Sequence, residues 1–242
     1  ALPYIGFFIY YLLGPQKIRR HRLRRSRARV GMPGEMPAGD EDARELARLG
    51  QATTGLPPST AQRVDLLVDG AATYDALLEA VAAATDHIHL EYYIYTPDRS
   101  GAALRDALLE RARAGVTVRL LLDAVGSSKM PGKFFAELLA AGGELAWFHP
   151  MRFGRVWERP WLNLRTHRKI VVIDGRIGFA GGINITDDEN DRLREDAYRD
   201  LHLRIEGDAV RALQLVFVED WAYATGNRDF IGGVARAMPA PA

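Results

Sequence analysis

Four β-branched residues in a row, Ile170-Val171-Val172-Ile173, all but oblige the middle of this chain to form an interior β-strand. The residues that bracket the run are polar in a definite order. His167-Arg168-Lys169 precede it, Asp174-Gly175 follow it, and Gly181-Gly182-Ile183-Asn184 come shortly after. The pattern is H-x-K, four residues, D, six residues, G-G-x-N. Extended side chains alternate faces, so His167 and Lys169 share one face, about 7 Å apart along the strand, and Arg168 takes the other. A phosphate spans that distance. Lys169 would neutralise a non-bridging oxygen. An imidazole titrates near neutrality, so His167 can attack phosphorus as the free base or protonate a leaving oxygen as the cation. Asp174-Gly175 is a turn signal, and paired glycines let backbone N–H groups approach a ligand. Asn184 adds a side-chain donor for phosphoryl oxygens. An isolated H-x-K at a strand edge is ordinary surface; the joint pattern suits phosphodiester chemistry done without a metal.

These residues resemble the HKD motif of the phospholipase D superfamily, and their surroundings resemble its bacterial cardiolipin synthases. The matching text includes Asn163-Leu164-Arg165-Thr166 before the motif, Leu90-Glu91-Tyr92-Tyr93-Ile94-Tyr95, Leu122-Asp123-Ala124-Val125-Gly126-Ser127 and Tyr198-Arg199-Asp200-Leu201-His202-Leu203. The resemblance runs from roughly Arg63 to Gly226. It implies a phospholipase D-like α/β sandwich with a mixed sheet. It also implies a phosphatidyltransferase that joins two phosphatidylglycerols into cardiolipin and glycerol through a phosphohistidine, with no cofactor and no metal. The catalytic set carried over is His167, Lys169 and Asp174, the last more structural and electrostatic than proton-shuttling. Gly181, Gly182, Asn184 and Arg165 would bind substrate. Asp200 would orient His167 by accepting a hydrogen bond from its other ring nitrogen.

The family builds its site from two HKD motifs, and this chain holds one. His87, His89, His149 and His202 lack the pattern, and His21 sits in a charge run. The expectation is an N-terminal half completed by a second HKD half in cis or by a second chain. A single-motif phosphodiesterase or nuclease completed by homodimerisation is the alternative. A lipid-binding module without activity is a weaker one, since His167, Lys169, Asp174 and Asn184 are all intact.

Charge is distributed unevenly. The net charge is +1, yet eight Lys and Arg and no acid lie between Lys17 and Arg29, which leaves 24 basic residues against all 31 acids beyond that stretch. Residues 1–14 carry no charge and are rich in aromatics. They are too few to cross a bilayer alone, which takes about 20 residues, and read as the C-terminal part of a transmembrane helix. Lys17, Arg19, Arg20, Arg22, Arg24 and Arg25 then mark the cytoplasmic side of the inner membrane and bind anionic headgroups. A nucleic-acid arm fits less well directly after an apolar aromatic run, so the expected partners are the membrane and phosphatidylglycerol, with no nucleic acid. The absence of cysteine excludes disulfides and thiol chemistry.

The predicted organisation is therefore a transmembrane piece over 1–14, a polybasic segment over 15–30, a linker with a short helix over 31–62, the phospholipase D-like domain over 63–228 and a second linker over 229–242. Within the domain, strands are predicted at 64–68, 88–95, 116–122, 145–148, 177–180 and 200–205 around the motif strand. Helices are predicted at 73–84, 133–141, 208–224 and from an N-cap at Ser100 to Gly115. The stretch 149–165 interleaves Trp157 and Trp161 with arginines, which suits a headgroup boundary or a loop packed on the core. Glu91 and Asp123, carboxylates on or at the end of buried strands, either line a site or cap turns.

Overall fold

A computed structural model describes residues 40–54, 58–148 and 166–227. The expectations for the transmembrane piece, the polybasic segment, Arg165 and the Trp–Arg stretch lie outside the described residues. Among the described residues no helix is long and apolar enough to cross a membrane. Helix α1 (Glu41–Thr54) forms part of a unit of its own, opened by Asp40, whose carboxylate accepts from the Ala43 N–H at 2.9 Å.

The second unit is built on one sheet. In chain order its elements are β1 (Arg63–Val68), α2 (Asp69–Ala82), β2 (His87–Tyr92), α3 (Arg99–Arg113), β3 (Thr117–Asp123), α4 (Ala136–Ala140), β4 (Glu144–Phe148), β5 (Lys169–Ile173), β6 (Ile177–Gly181), β7 (Leu201–Glu206) and α5 (Ala209–Thr225). The seven strands lie in the order β1-β7-β6-β5-β2-β3-β4. β2, β3 and β4 run parallel and are joined through helices, as parallel strands must be. β5, β6 and β7 form an antiparallel meander, and β5 pairs antiparallel with β2, so the sheet is mixed.

Both faces of the sheet are covered. Ile88, Leu90, Tyr92, Leu120, Leu122, Val171, Ile173 and Phe179 pack with Leu77, Leu104, Leu108 and Leu138 of α2, α3 and α4. On the other face α5 lays Phe217, Val218 and Trp221 against Leu121, Ala146 and Phe148, and Val210 against Ile170 and Val172. All five residues of β5 are buried, which is what its unbroken apolar text requires of a strand covered on both sides.

Three boundaries differ from expectation for local reasons. Helix α3 begins one turn-step earlier, with Asp98 rather than Ser100 as N-cap; the Asp98 carboxylate accepts from the Gly101 N–H at 3.0 Å. Ser100 is inside the helix, its hydroxyl accepting from Asn190 Nδ2 at 3.0 Å. β2 stops at Tyr92 rather than Tyr95, because the chain beyond it leaves the ladder and Tyr95 only bridges Ile185. Helix α2 starts at Asp69, where Gly70 sits so close to the Glu189 carbonyl that no side chain fits.

Candidate functional site

Lys169 and Gly181 of the motif fall in one row across the sheet. Leu67 of β1 faces His202 of β7, and His202 faces Gly181 of β6. The β5–β6 register, continued by one residue from Ile170 opposite Ala180, sets Lys169 opposite Gly181. Lys169 in turn faces Tyr92 of β2. Gly181 lacks a side chain between His202 and Lys169. A Cβ there would stand 2.5 Å from the Leu201 carbonyl, 2.6 Å from the His202 Cα and 2.8 Å from its Nδ1.

His167 lies two residues before the start of β5 and is exposed, whereas Lys169 is buried. The Lys169 Nζ stands 3.1 Å from His167 Nδ1 and 3.2 Å from the His167 carbonyl. The Tyr93 ring packs against the imidazole with centroids 4.5 Å apart, and the ammonium lies 5.5 Å from that ring's centre. Burial lowers the Lys169 pKa, while the charges of Glu189 and Asp200 act to hold its proton.

Asn184 is buried. Its Oδ1 accepts from the Ile94 N–H at 3.2 Å, and its Nδ2 donates to Glu189 Oε1 at 2.6 Å. Its backbone N–H donates to Glu189 Oε2 at 2.5 Å, and its carbonyl accepts from the Tyr74 hydroxyl at 2.7 Å. An amide nitrogen has two hydrogens, so one donor remains for a ligand. Glu189, absent from the sequence-based set, both aims this amide and faces Lys169. Its only sequence signal is its place in the acidic turn Asp187-Asp188-Glu189, which looks like solvated surface.

The glycine pair is used differently from expectation. The space beside Gly182 is filled by the Asp200 carboxylate, which a Cβ would strike, and the Gly182 N–H is spent on the Leu201 carbonyl at 2.8 Å. Close approach is real, but the approaching groups belong to the protein. Asp200 Oδ1 accepts from the Leu201 N–H at 2.7 Å, and its backbone N–H donates to Asp69 Oδ1 at 3.2 Å. Among the described residues Asp200 makes no hydrogen bond to His167; its charge is felt by Lys169 and His202. His202 is buried, and burial pulls its pKa down to about 4, with Asp200 opposing and Lys169 assisting the fall.

Asp174 is not brought to His167 and Lys169. It follows the far end of β5, roughly 17 Å along the strand from Lys169. There its carboxylate accepts four hydrogen bonds, from the Thr85 N–H and hydroxyl at 2.9 Å each, the Asp86 N–H at 2.8 Å and the His87 N–H at 3.0 Å. Burial acts to raise its pKa, but the hydrogen bonds outweigh it and the net shift is downward. Its place in the motif is that of a clamp between β5 and the start of β2, apart from His167 and Lys169. Asp123 likewise closes a turn, its Oδ1 accepting from Val125 and Gly126 at 2.9 and 3.0 Å.

The other face of the strand holds a second polar group. Thr166 donates from Oγ1 to Glu91 Oε1 at 2.5 Å, and Arg168 pairs with Asp220 of α5 and lies 3.6 Å from Glu91 Oε1. Among the described residues, no group of three or more His, Asp or Glu side chains is placed to hold a metal ion.

Residues 77–221 match the family model described as "Cardiolipin synthase, PLD-like domain". The chain is 41% identical over 244 residues to the cardiolipin synthase of Geobacillus sp. strain WCH70, covering 94% of this chain and 47% of that protein. It is 39% identical over 241 residues to cardiolipin synthase 2 of Bacillus anthracis, covering 93% of this chain and 46% of that protein. The phosphatidylserine synthase of Haemophilus influenzae superposes with a TM-score of 0.53 at 14% identity, over 79% of this chain and 47% of its own, a likeness of fold. Fold and motif thus define a phospholipase D-like domain. The chain belongs to the cardiolipin synthase family, and spans about half the length of the curated relatives it matches.

Proposed function

We propose that this chain supplies one half of a cardiolipin synthase-type phosphatidyltransferase that joins two phosphatidylglycerols. The observation that carries the reading is the contact between His167 and Lys169 at the open end of β5, with Asn184 hydrogen-bonded to Glu189, whose charge acts on Lys169. The exposed imidazole attacks phosphorus, the bond from phosphorus to the glycerol oxygen breaks, and glycerol takes a proton as it leaves. The hydroxyl of a second phosphatidylglycerol then attacks the phosphatidyl-histidine, loses its proton, and frees His167 as cardiolipin departs. Lys169 and the remaining Asn184 N–H oppose the charge that builds on the phosphoryl oxygens; such prearranged charge is commonly the largest catalytic contribution.

The proton for glycerol comes from the histidine of a second HKD half, in cis or from a second chain. The length of the relatives supports the former. The charge of Asp200 acts with that of Glu189 to keep the proton on Lys169. Arg165 and the cluster at Lys17, Arg19, Arg20, Arg22, Arg24 and Arg25 engage headgroups of the cytoplasmic leaflet, with residues 1–14 as an anchor.

The test is His167→Asn in the full-length protein, assayed with phosphatidylglycerol labelled in the phosphate. Wild type should give labelled cardiolipin and an acid-labile labelled protein. The variant should give neither, with an unchanged circular dichroism spectrum. Normal cardiolipin from the variant would refute the assignment.

A further inference from the structure

His167 is exposed, and it is tethered by its two neighbours. Thr166 and Arg168 point to the α5 face, and both reach the same buried acids. Glu91 is fully buried and Asp220 is 1% exposed. Glu91 Oε1 takes the Thr166 hydroxyl at 2.5 Å, while its Oε2 meets no donor among the described residues. The same Arg168 Nη1 pairs with Asp220 and lies 3.6 Å from Glu91 Oε1, so two buried carboxyl groups flank one guanidinium. Two carboxylates buried this close repel one another, which favours a proton on one of them. The Arg168 carbonyl is itself held by the Tyr93 N–H at 3.1 Å, two residues beyond Glu91. The lead-in that carries His167 is therefore fastened at three points: Glu91 of β2, Tyr93 just beyond β2, and Asp220 of α5.

We propose that Glu91 and Asp220, sharing one proton beneath the strand, are positioning residues that hold His167 at the open end of β5. Their hold depends on that proton. Burial, and after it the charge of Asp220, push the Glu91 pKa up to about 8, with Arg168 and the Thr166 hydroxyl acting in the other direction. Among the described residues, the remaining groups facing Glu91 do not replace the proton. Leu121 stands opposite on β3, and His89, two residues back on β2, is kept neutral by burial and engaged by Gln214 at 2.8 Å and Arg119 at 3.3 Å. Above pH 8 two negative charges share the site against one guanidinium among the described residues. The pair repels, the Thr166 and Arg168 anchors shift, and the imidazole leaves its place over Tyr93. Displacements of about 1 Å at a reacting group can cost on the order of 10²-fold in rate.

The rate arm of the test rests on the proposed transferase activity; a second arm does not. In the full-length protein, Glu91→Gln keeps an acceptor for Thr166 and offers Asp220 a permanent N–H. It should match the wild-type kcat at pH 7 and lose the fall in kcat that wild type shows near pH 8. Glu91→Ala should lower kcat on the order of 10²-fold with KM unchanged, as loss of positioning alone requires. For the second arm, histidine labelled with ¹³C at Cε1 is followed by NMR, the His167 signal being assigned by its loss in His167→Asn. That signal should move between pH 7 and 9 in wild type and stay still in Glu91→Gln. A still signal in wild type, or one that moves equally in both proteins, overturns the proposal whatever the enzyme's substrate. Retention of the wild-type alkaline fall by Glu91→Gln overturns it too.

Discussion

The two ends of β5 spend their polar groups in opposite ways. At the Asp174 end every acceptor is used: four hydrogen bonds from residues 85–87 converge on one carboxylate. At the His167 end the groups are partly idle. The imidazole is exposed, its hydrogen-bond partner among the described residues is Lys169, and the Lys169 ammonium is buried with two carboxylates acting on it from a distance. One strand thus carries a saturated end that holds the sheet and an unsaturated end that can meet a ligand. The letters of the motif are adjacent in text, yet they serve two purposes about a strand's length apart.

If this contrast is right, mutations at the two ends separate activity from stability. The largest effect should come from Lys169→Met. It removes the charge that meets the phosphoryl oxygens and should lower kcat about 10³-fold in a cardiolipin synthesis assay. Its melting temperature should not fall, because a partly buried charge is replaced by an apolar chain of similar length. A parallel loss of melting temperature would blur the two ends.

Asp174→Ala should show the reverse, a loss of about 2–3 kcal/mol in denaturant unfolding with activity per folded molecule retained. Part of that loss is conformational, since Asp174 has φ 52° and an acidic or amide side chain tolerates this region better than alanine. Asp174→Asn should therefore cost less. A variant that is stable but inactive would return Asp174 to the chemistry.

The smallest effect is a pH dependence. At the site end, His202 is held neutral with a pKa near 4, against an ordinary 6.5. Between those values the unfolded chain binds a proton that the native state refuses, so stability falls as pH drops through that window and levels off below it. At the clamp end the Asp174 carboxyl is shifted downward from 3.8, so its contribution is lost only at still lower pH. Unfolding followed from pH 7 to 4 should show a slope that His202→Gln reduces and Asp174→Asn leaves in place. Equal slopes in wild type and His202→Gln would remove His202 from the account.

The fold was legible where local text and tertiary role agree. An unbroken β-branched run reads as a strand covered on both faces, and Ile170–Ile173 is one. The helix ending near Gly115 is readable from a glycine at φ 90°. Caps were less legible, because Asp98 and Ser100 are both good N-cap residues, and only the tertiary tie of Asp98 to the Asp187 N–H at 2.7 Å decides between them. In the site, His167, Lys169 and Asn184 announce themselves by spacing. Glu189, His202 and Tyr93 do not, since their roles come from β7 lying beside β6 and from a turn folding back on β2. Glu91 attracted notice as a carboxylate on a buried strand, but its partner Asp220 is 129 residues away in the chain and on a helix that otherwise reads as an ordinary amphipathic cover.

The alternation of side chains across β5 makes its spacing a parity code. Odd positions from 167 to 173 look toward α2 and α3, and even positions from 166 to 172 look toward α5. A single residue inserted between Lys169 and Ile173 would exchange the two sets for every residue on one side of it. Arg168 would then be turned to the substrate side and the ammonium toward Glu91 and Asp220, while the hydrophobic residues between them fit either face almost equally well. The barrel of such a lock can vary in its apolar letters, but its count cannot change by one. Length variation in this family should accordingly gather in the exposed turn over 191–199, where one residue more or less leaves both faces of the sheet in register.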